Sequence, residues 1–142
     1  MTTTESARDV RMRELTARGW TPALFAEFWS APDAKYLPPM CAPDITGHWP
    51  GAAGPVHGPG PYVAVLEQLI AALPDVRLEV PDHAVNGDVG FVRWVMHATG
   101  RHGPFQLDGV DCIHLRDGLV VENFINFDAE AFRTRSGLAL GG

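Results

Sequence analysis

The stretch FQLDGVDCIHLRDGLVVENFINFD, residues 105–128, places an acid, Asp111, inside one of two strands that fold back on each other at Arg116-Asp117-Gly118. Strand alternation puts Ile113 and Leu115 on the face of Asp111, and across the turn Val121, Asn123, Ile125 and Phe127 make a comparable set. That face is the apolar one, so the carboxyl must be hydrogen-bonded or have a raised pKa, because taking an ionised carboxylate out of water is costly. Either state does chemistry in a pocket. A neutral acid donates a hydrogen bond to a developing oxyanion, and an ionised one takes a proton next to a carbonyl. Asn123 is the polar companion on that face, placed to orient Asp111 or to hold a substrate oxygen. The same spacing also fits a carboxylate that only satisfies neighbouring donors.

Trp29, Trp49 and Trp94 supply flat apolar surfaces suited to an aromatic or polycyclic ligand, or to filling core. Tyr62 opens a helix, where its side chain either reaches a ligand or packs. Cys41 and Cys112 lie 71 residues apart without CxxC or Cys/His spacing, so neither a metal site nor a redox pair is expected.

The elements that would position these residues are legible in outline. Residues 6–18 predict a helix with Ala7, Val10 and Leu15 on one stripe and Gly19 as its stop. Thr21-Pro22 reads as an N-cap followed by proline at the first helical position, with Leu24, Phe25, Phe28 and Trp29 forming an aromatic face. A proline-rich stretch, 32–43, precedes a short extended piece, DITGHWPG, and GAAGPVHGPGP reads as a loop. From Gly60-Pro61 a helix buries Val63, Leu66, Ile70 and Leu73, with Leu69 beside them. Beyond Pro74 the period changes to two. Strands through Val76–Val80, Phe91–Thr99, Phe105–Leu115 and Leu119–Phe127 follow, and DAEAFRTR closes the chain as a helix capped by Asp128. Pairing Gly100 with Phe105 would set Trp94 across from Asp111. Helices followed by four antiparallel strands predict an α+β fold, its sheet curling around the helices and leaving an apolar cavity.

At 142 residues with 46% hydrophobic content the chain fits one domain spanning 1–142. Seventeen acids against eleven bases give a net charge of −6, which disfavours a nucleic-acid partner. The segment MTTTESARDVRMRE lacks an apolar core, and the longest apolar stretch is broken by Glu67 and Gln68, so a cytoplasmic chain without a membrane partner is expected.

In the order APDITGHWPG, GPGPYVAVLEQLIAALPDVRLEV, FVRWVMHATGRHGPF and GVDCIHLRDGLVVENFINFD, the chain resembles the SnoaL-like polyketide cyclases of the nuclear transport factor 2-like superfamily over about Ala42 to Asp128. The resemblance implies a cone-shaped α+β fold with a deep apolar pocket, a homodimer formed through the outer sheet face, an apolar small-molecule substrate and no cofactor. In those cyclases the last strand typically reads Glu-His-Trp-Asp, its Asp serving as acid/base; Glu122, Asn123, Phe124 and Ile125 stand there here, so Ile125 takes the acid's place. The limonene epoxide hydrolase branch is similar at NFD, but Ile125 again replaces its first acid. Ketosteroid isomerase carries its oxyanion-hole acid in a strand that looks like GVDCIHL, which matches Asp111. Its base lies in a segment similar to DITGHWPG, which makes His48 the candidate replacement base. The implied function is a cofactor-independent cyclase or isomerase acting on an apolar carbonyl compound, a polyketide intermediate among the candidates. Asp111, His48 and Asn123 would be catalytic, and Trp29, Trp49, Tyr62, Trp94 and Ile125 would contact substrate. The alternative is a non-catalytic binding module of the same fold, to which the loss of the usual acid at Ile125 gives weight.

Overall fold

The computed structural model describes residues 5–138; residues 1–4, the start of the MTTTESARDVRMRE segment, and 139–142 lie outside it. Helix α1, Ala7–Ala17, begins at a reciprocal cap in which Ser6 Oγ accepts from Asp9 N (3.0 Å) and Asp9 Oδ2 accepts from Ser6 N (3.2 Å). Its buried residue is Met12, while Ala7 is exposed, so the inward stripe is turned away from the expected Ala7 and Val10. Arg8 explains the rotation: Nη2 donates to the carbonyls of Glu27, Phe28 and Ala31, satisfying the C-terminal end of α2, Pro22–Ser30. The start of α2 is as expected, with Thr21 Oγ1 accepting from Leu24 N at 3.1 Å and Leu24, Phe25 and Phe28 buried.

After two short 3₁₀ turns, strand β1 runs Cys41–His48, three residues earlier than the extended piece expected from Asp44. It tolerates Pro43 because its register against β6 breaks between Cys41 and Thr46, where no ladder bond is required of a missing N–H. A two-residue strand, β2 (Val56–His57), forms within the Gly/Pro stretch expected to be wholly loop. Helix α3, Pro59–Ala72, buries Tyr62, Val65, Leu66 and Leu69, leaving Val63 and Ile70 half-buried. Its apolar residues define two overlapping stripes, and the chosen one brings the Tyr62 ring against Trp49, with centroids 5.0 Å apart.

Strands β3 (Arg77–Asn86), β4 (Val89–Gly100), β5 (Gly103–Arg116) and β6 (Leu119–Asn126) form the expected antiparallel meander. The sheet order is β2-β1-β6-β5-β4-β3, and because β1 runs parallel to β6 the six-stranded sheet is mixed. The β5–β6 turn is made by Asp117 and Gly118 with φ of 54° and 78°, the doubly positive pair that suits a two-residue hairpin. Between β4 and β5 Gly100 pairs with Gly103, two residues from the expected partner. A slip of two keeps every side chain on its face. Trp94 therefore lies opposite Gly109, and Asp111 opposite Val92. A bulge after His114 shifts β6, so Val120 rather than Val121 is buried.

Helix α4, Ala129–Ser136, is capped by Asp128 Oδ1 accepting from Ala131 N at 3.0 Å, and it inserts Phe132 against the sheet. Helices α1–α3 cover the concave face of a curled, unclosed sheet: an α+β cone. Among the described residues no helix is long and apolar enough to cross a membrane.

Candidate functional site

Between the helices and the sheet lies a hollow lined by Phe25, Phe28 and Trp29 from α2, Tyr62, Val65 and Leu66 from α3, and inward residues of the sheet. Its cavity volume is about 80 Å³. The walls are almost wholly apolar. Asp111 is the one charged residue among the described lining.

Asp111 is 5% exposed and Asn123 4%. Asp111 lies directly opposite Ile125, and Asn123 opposite Ile113, so the two polar residues are diagonal neighbours across the β5–β6 pair. Trp94 Nε1 donates to Asp111 Oδ1 at 2.9 Å, and Asn123 Nδ2 donates to Asp111 Oδ2 at 3.1 Å. The same Nδ2 donates to the Tyr62 hydroxyl at 3.1 Å. Burial pushes the Asp111 carboxyl up to about 6, and the two donors, which favour the carboxylate, hold it from rising further. Burial likewise raises the Tyr62 hydroxyl above its ordinary value and the Cys41 thiol to about 11, so both are neutral near pH 7. Asn123 Oδ1 is buried without a hydrogen-bond partner.

Four indoles line the hollow, and three of them rest on strand glycines. A Cβ added at Gly47, Gly90 or Gly109 would fall within 3.0 Å of ring atoms of Trp49, Trp20 or Trp94 respectively, which real side chains do not tolerate. Trp49 packs against Tyr62, and Trp94 against Phe127 at 6.1 Å. The strand glycines are thus the openings that let large rings lie across the sheet.

Of the residues singled out from sequence, Asp111, Asn123, Trp29, Trp49, Tyr62, Trp94 and Ile125 all line the hollow. His48 does not. Its segment is strand, and alternation turns buried Ile45 and Gly47 inward and half-buried Thr46 and His48 outward. On the outer face His48 Nε2 lies 2.7 Å from Glu122 Oε2, and its ring stacks on Phe124 with centroids 4.4 Å apart. The expectation of His48 as a base in the pocket is therefore corrected by the geometry. Trp20 was missed as a wall residue, although Gly90 inside a strand was the available signal of a ring approaching closely.

The SnoaL-like domain family matches residues 23–123 of the chain. No curated protein matches it. Among solved structures, one from Jannaschia sp. CCS1 described as a SnoaL-like polyketide cyclase is 21% identical, with 94% of this chain and 96% of that chain covered and a TM-score of 0.70. IdmH from Streptomyces antibioticus, also described as a polyketide cyclase, is 23% identical, with coverage of 90% and 99% and a TM-score of 0.68. A protein of ketosteroid isomerase-like fold from Catenulispora acidiphila DSM 44928, solved with trimethylamine, is 15% identical, with coverage of 87% and 92% and a TM-score of 0.70. At these identities the structural likeness establishes the fold, and the match over residues 23–123 establishes that the chain belongs to the SnoaL-like domain family.

Proposed function

We propose that the chain is a cofactor-independent acid/base enzyme, a cyclase or isomerase, acting on an apolar small molecule that carries a carbonyl group, with polyketide intermediates as the candidate class. The observation that supports this most is a single carboxyl in an apolar hollow, held by two donors and pushed up by burial to about 6. Ionised at pH 7, Asp111 takes a proton from carbon next to the carbonyl and returns it at a second position. A base with a midpoint near the working pH is suited to both halves of that transfer. The Tyr62 oxygen accepts from Asn123, which leaves its own hydrogen for the carbonyl oxygen as negative charge develops there. The unpartnered Asn123 Oδ1 favours a ligand with a hydroxyl or enol donor, because a buried acceptor left unmade costs about 1–3 kcal/mol. Room of about 80 Å³ calls for a compact ligand, or for displacement of an indole by a larger one. Under the same reading the chain forms a homodimer through the outer sheet face, where Phe91 is 44% exposed.

The test needs no prior substrate. A panel of aromatic and alicyclic ketones and β-diketones is incubated with the protein in D₂O, and deuterium uptake is followed by mass spectrometry. At least one compound should exchange faster than in buffer, and Asp111→Asn should slow that exchange by on the order of 10²–10⁴. Equal exchange by the variant and the unmodified protein would remove Asp111 from the chemistry. One observation favours a non-catalytic binder: no second charged residue among the described lining shares the proton traffic. Quenching of tryptophan fluorescence by a ligand that undergoes no exchange would support that alternative.

A further inference from the structure

Gly109 has no functional group, yet its position decides whether Asp111 keeps its nearer donor. It lies in the middle of β5, buried, directly opposite Trp94 on β4 and two residues before Asp111 on the same face. The Trp94 indole, 3% exposed, lies flat over this position and reaches diagonally to Asp111, where Nε1 sits 2.9 Å from Oδ1. A Cβ at residue 109 would overlap Cζ2 and Cη2 of that ring and stand 2.6 Å from Cε2. The indole also packs against Phe127, with centroids 6.1 Å apart, so making room for a methyl swings its N–H off the carboxylate.

We propose that Gly109 is a positioning residue of the site: by lacking a side chain it seats the Trp94 indole across β5 and so holds the indole N–H on Asp111. The inference rests on the reading of Asp111 as the acid/base group of the site for its functional meaning, but its test is made in ligand-free protein. A failure here would leave the proposed acid/base chemistry standing, and a failure there would leave this geometry standing.

Removing a donor from a carboxylate favours its protonated form, so the midpoint of Asp111 must rise. The other titratable groups lining the hollow are Tyr62 from α3 and Cys41 from β1, both neutral in the relevant range, so the midpoint responds to the two donors and to burial. The experiment is a ¹³C-detected NMR titration of the Asp111 carboxyl in the unmodified protein and four variants. Gly109→Ala should raise the midpoint by roughly one pH unit, the scale of one hydrogen bond to a charged group. Trp94→Phe, which removes the N–H and shortens the ring, should raise it by a similar amount. The double variant lacks Cζ2 and Cη2, the two atoms nearest the added methyl, and should show the shift of Trp94→Phe with nothing further. Gly90→Ala on β4, which makes the same kind of overlap with the Trp20 ring but touches no donor of Asp111, should leave the midpoint unmoved. Should Gly109→Ala fail to fold alone, the double variant still decides. An unmoved midpoint in Gly109→Ala, a further shift or unfolding in the double variant, or an equal shift in Gly90→Ala would overturn the proposal.

Discussion

Replacing Asp111 by Asn should make the protein more stable at alkaline pH, the opposite of what removal of a hydrogen-bonded core residue ordinarily does. The carboxyl's ordinary value is 3.8, and burial in the hollow brings it to about 6. The folded state thus binds this proton more tightly than the unfolded state. The associated stability is fully present below about pH 3.8 and is lost as pH rises through about 6. At about 1.4 kcal/mol per pH unit, holding the ionised carboxylate costs the fold roughly 3 kcal/mol at pH 8. Asparagine has the same shape and no charge. Its Oδ1 accepts from Trp94 Nε1, and its amide hydrogens meet Asn123, which can turn its unpartnered Oδ1 toward them. Any fixed packing cost of the substitution is the same at every pH, so the quantity to read is the difference between conditions. Urea unfolding followed by far-UV circular dichroism at pH 4, 6 and 8 gives it. The stability of Asp111→Asn relative to the unmodified protein should improve by about 2 kcal/mol between pH 4 and pH 8, mostly below pH 6. A relative stability that does not change with pH would refute the placement of a costly carboxylate in an apolar site.

Three further outcomes follow from the same geometry. Tyr62→Phe removes the hydroxyl that accepts from Asn123 and should lower deuterium exchange on a responsive ketone by on the order of 10², with a stability loss of about 1 kcal/mol; unchanged exchange would exclude Tyr62 as the carbonyl's donor. His48→Ala, which changes only the outer face beside Glu122 and Phe124, should leave that exchange within about twofold; a loss as large as that of Asp111→Asn would return His48 to the site. If a second copy covers the outer face, light scattering at micromolar concentration should give twice the 15.4 kDa chain mass and Phe91→Arg should halve it; a monomer mass for the unmodified chain would remove the dimer.

Local signals carried the sequence reading where one residue type has one structural use. Thr21-Pro22 could only begin a helix well, and Asp117-Gly118 could supply the two positive φ values of a tight hairpin. Strand alternation then put Asp111, Asn123 and Ile125 on one inward face, because the β4–β5 slip was even and the β6 bulge fell before Asn123. His48 was misplaced because Pro43 disguised the start of β1, and once that segment is strand, parity alone sends the imidazole outward. On α3, apolar residues on adjoining stripes left the helix rotation to tertiary packing against Trp49. The parallel pairing of β1 with β6 joins segments more than seventy residues apart, a contact no local period encodes. The seating of Trp94 on Gly109 was hidden by the same two-residue slip that spared the faces.

The most direct measurement is the pH titration of the Asp111 side-chain carboxyl carbon in the unmodified, ligand-free protein by ¹³C NMR. A midpoint near 6 is expected from a carboxyl enclosed by aromatic and aliphatic walls and held by Trp94 and Asn123. A midpoint at or below about 4, the range of a carboxyl in water, would contradict it.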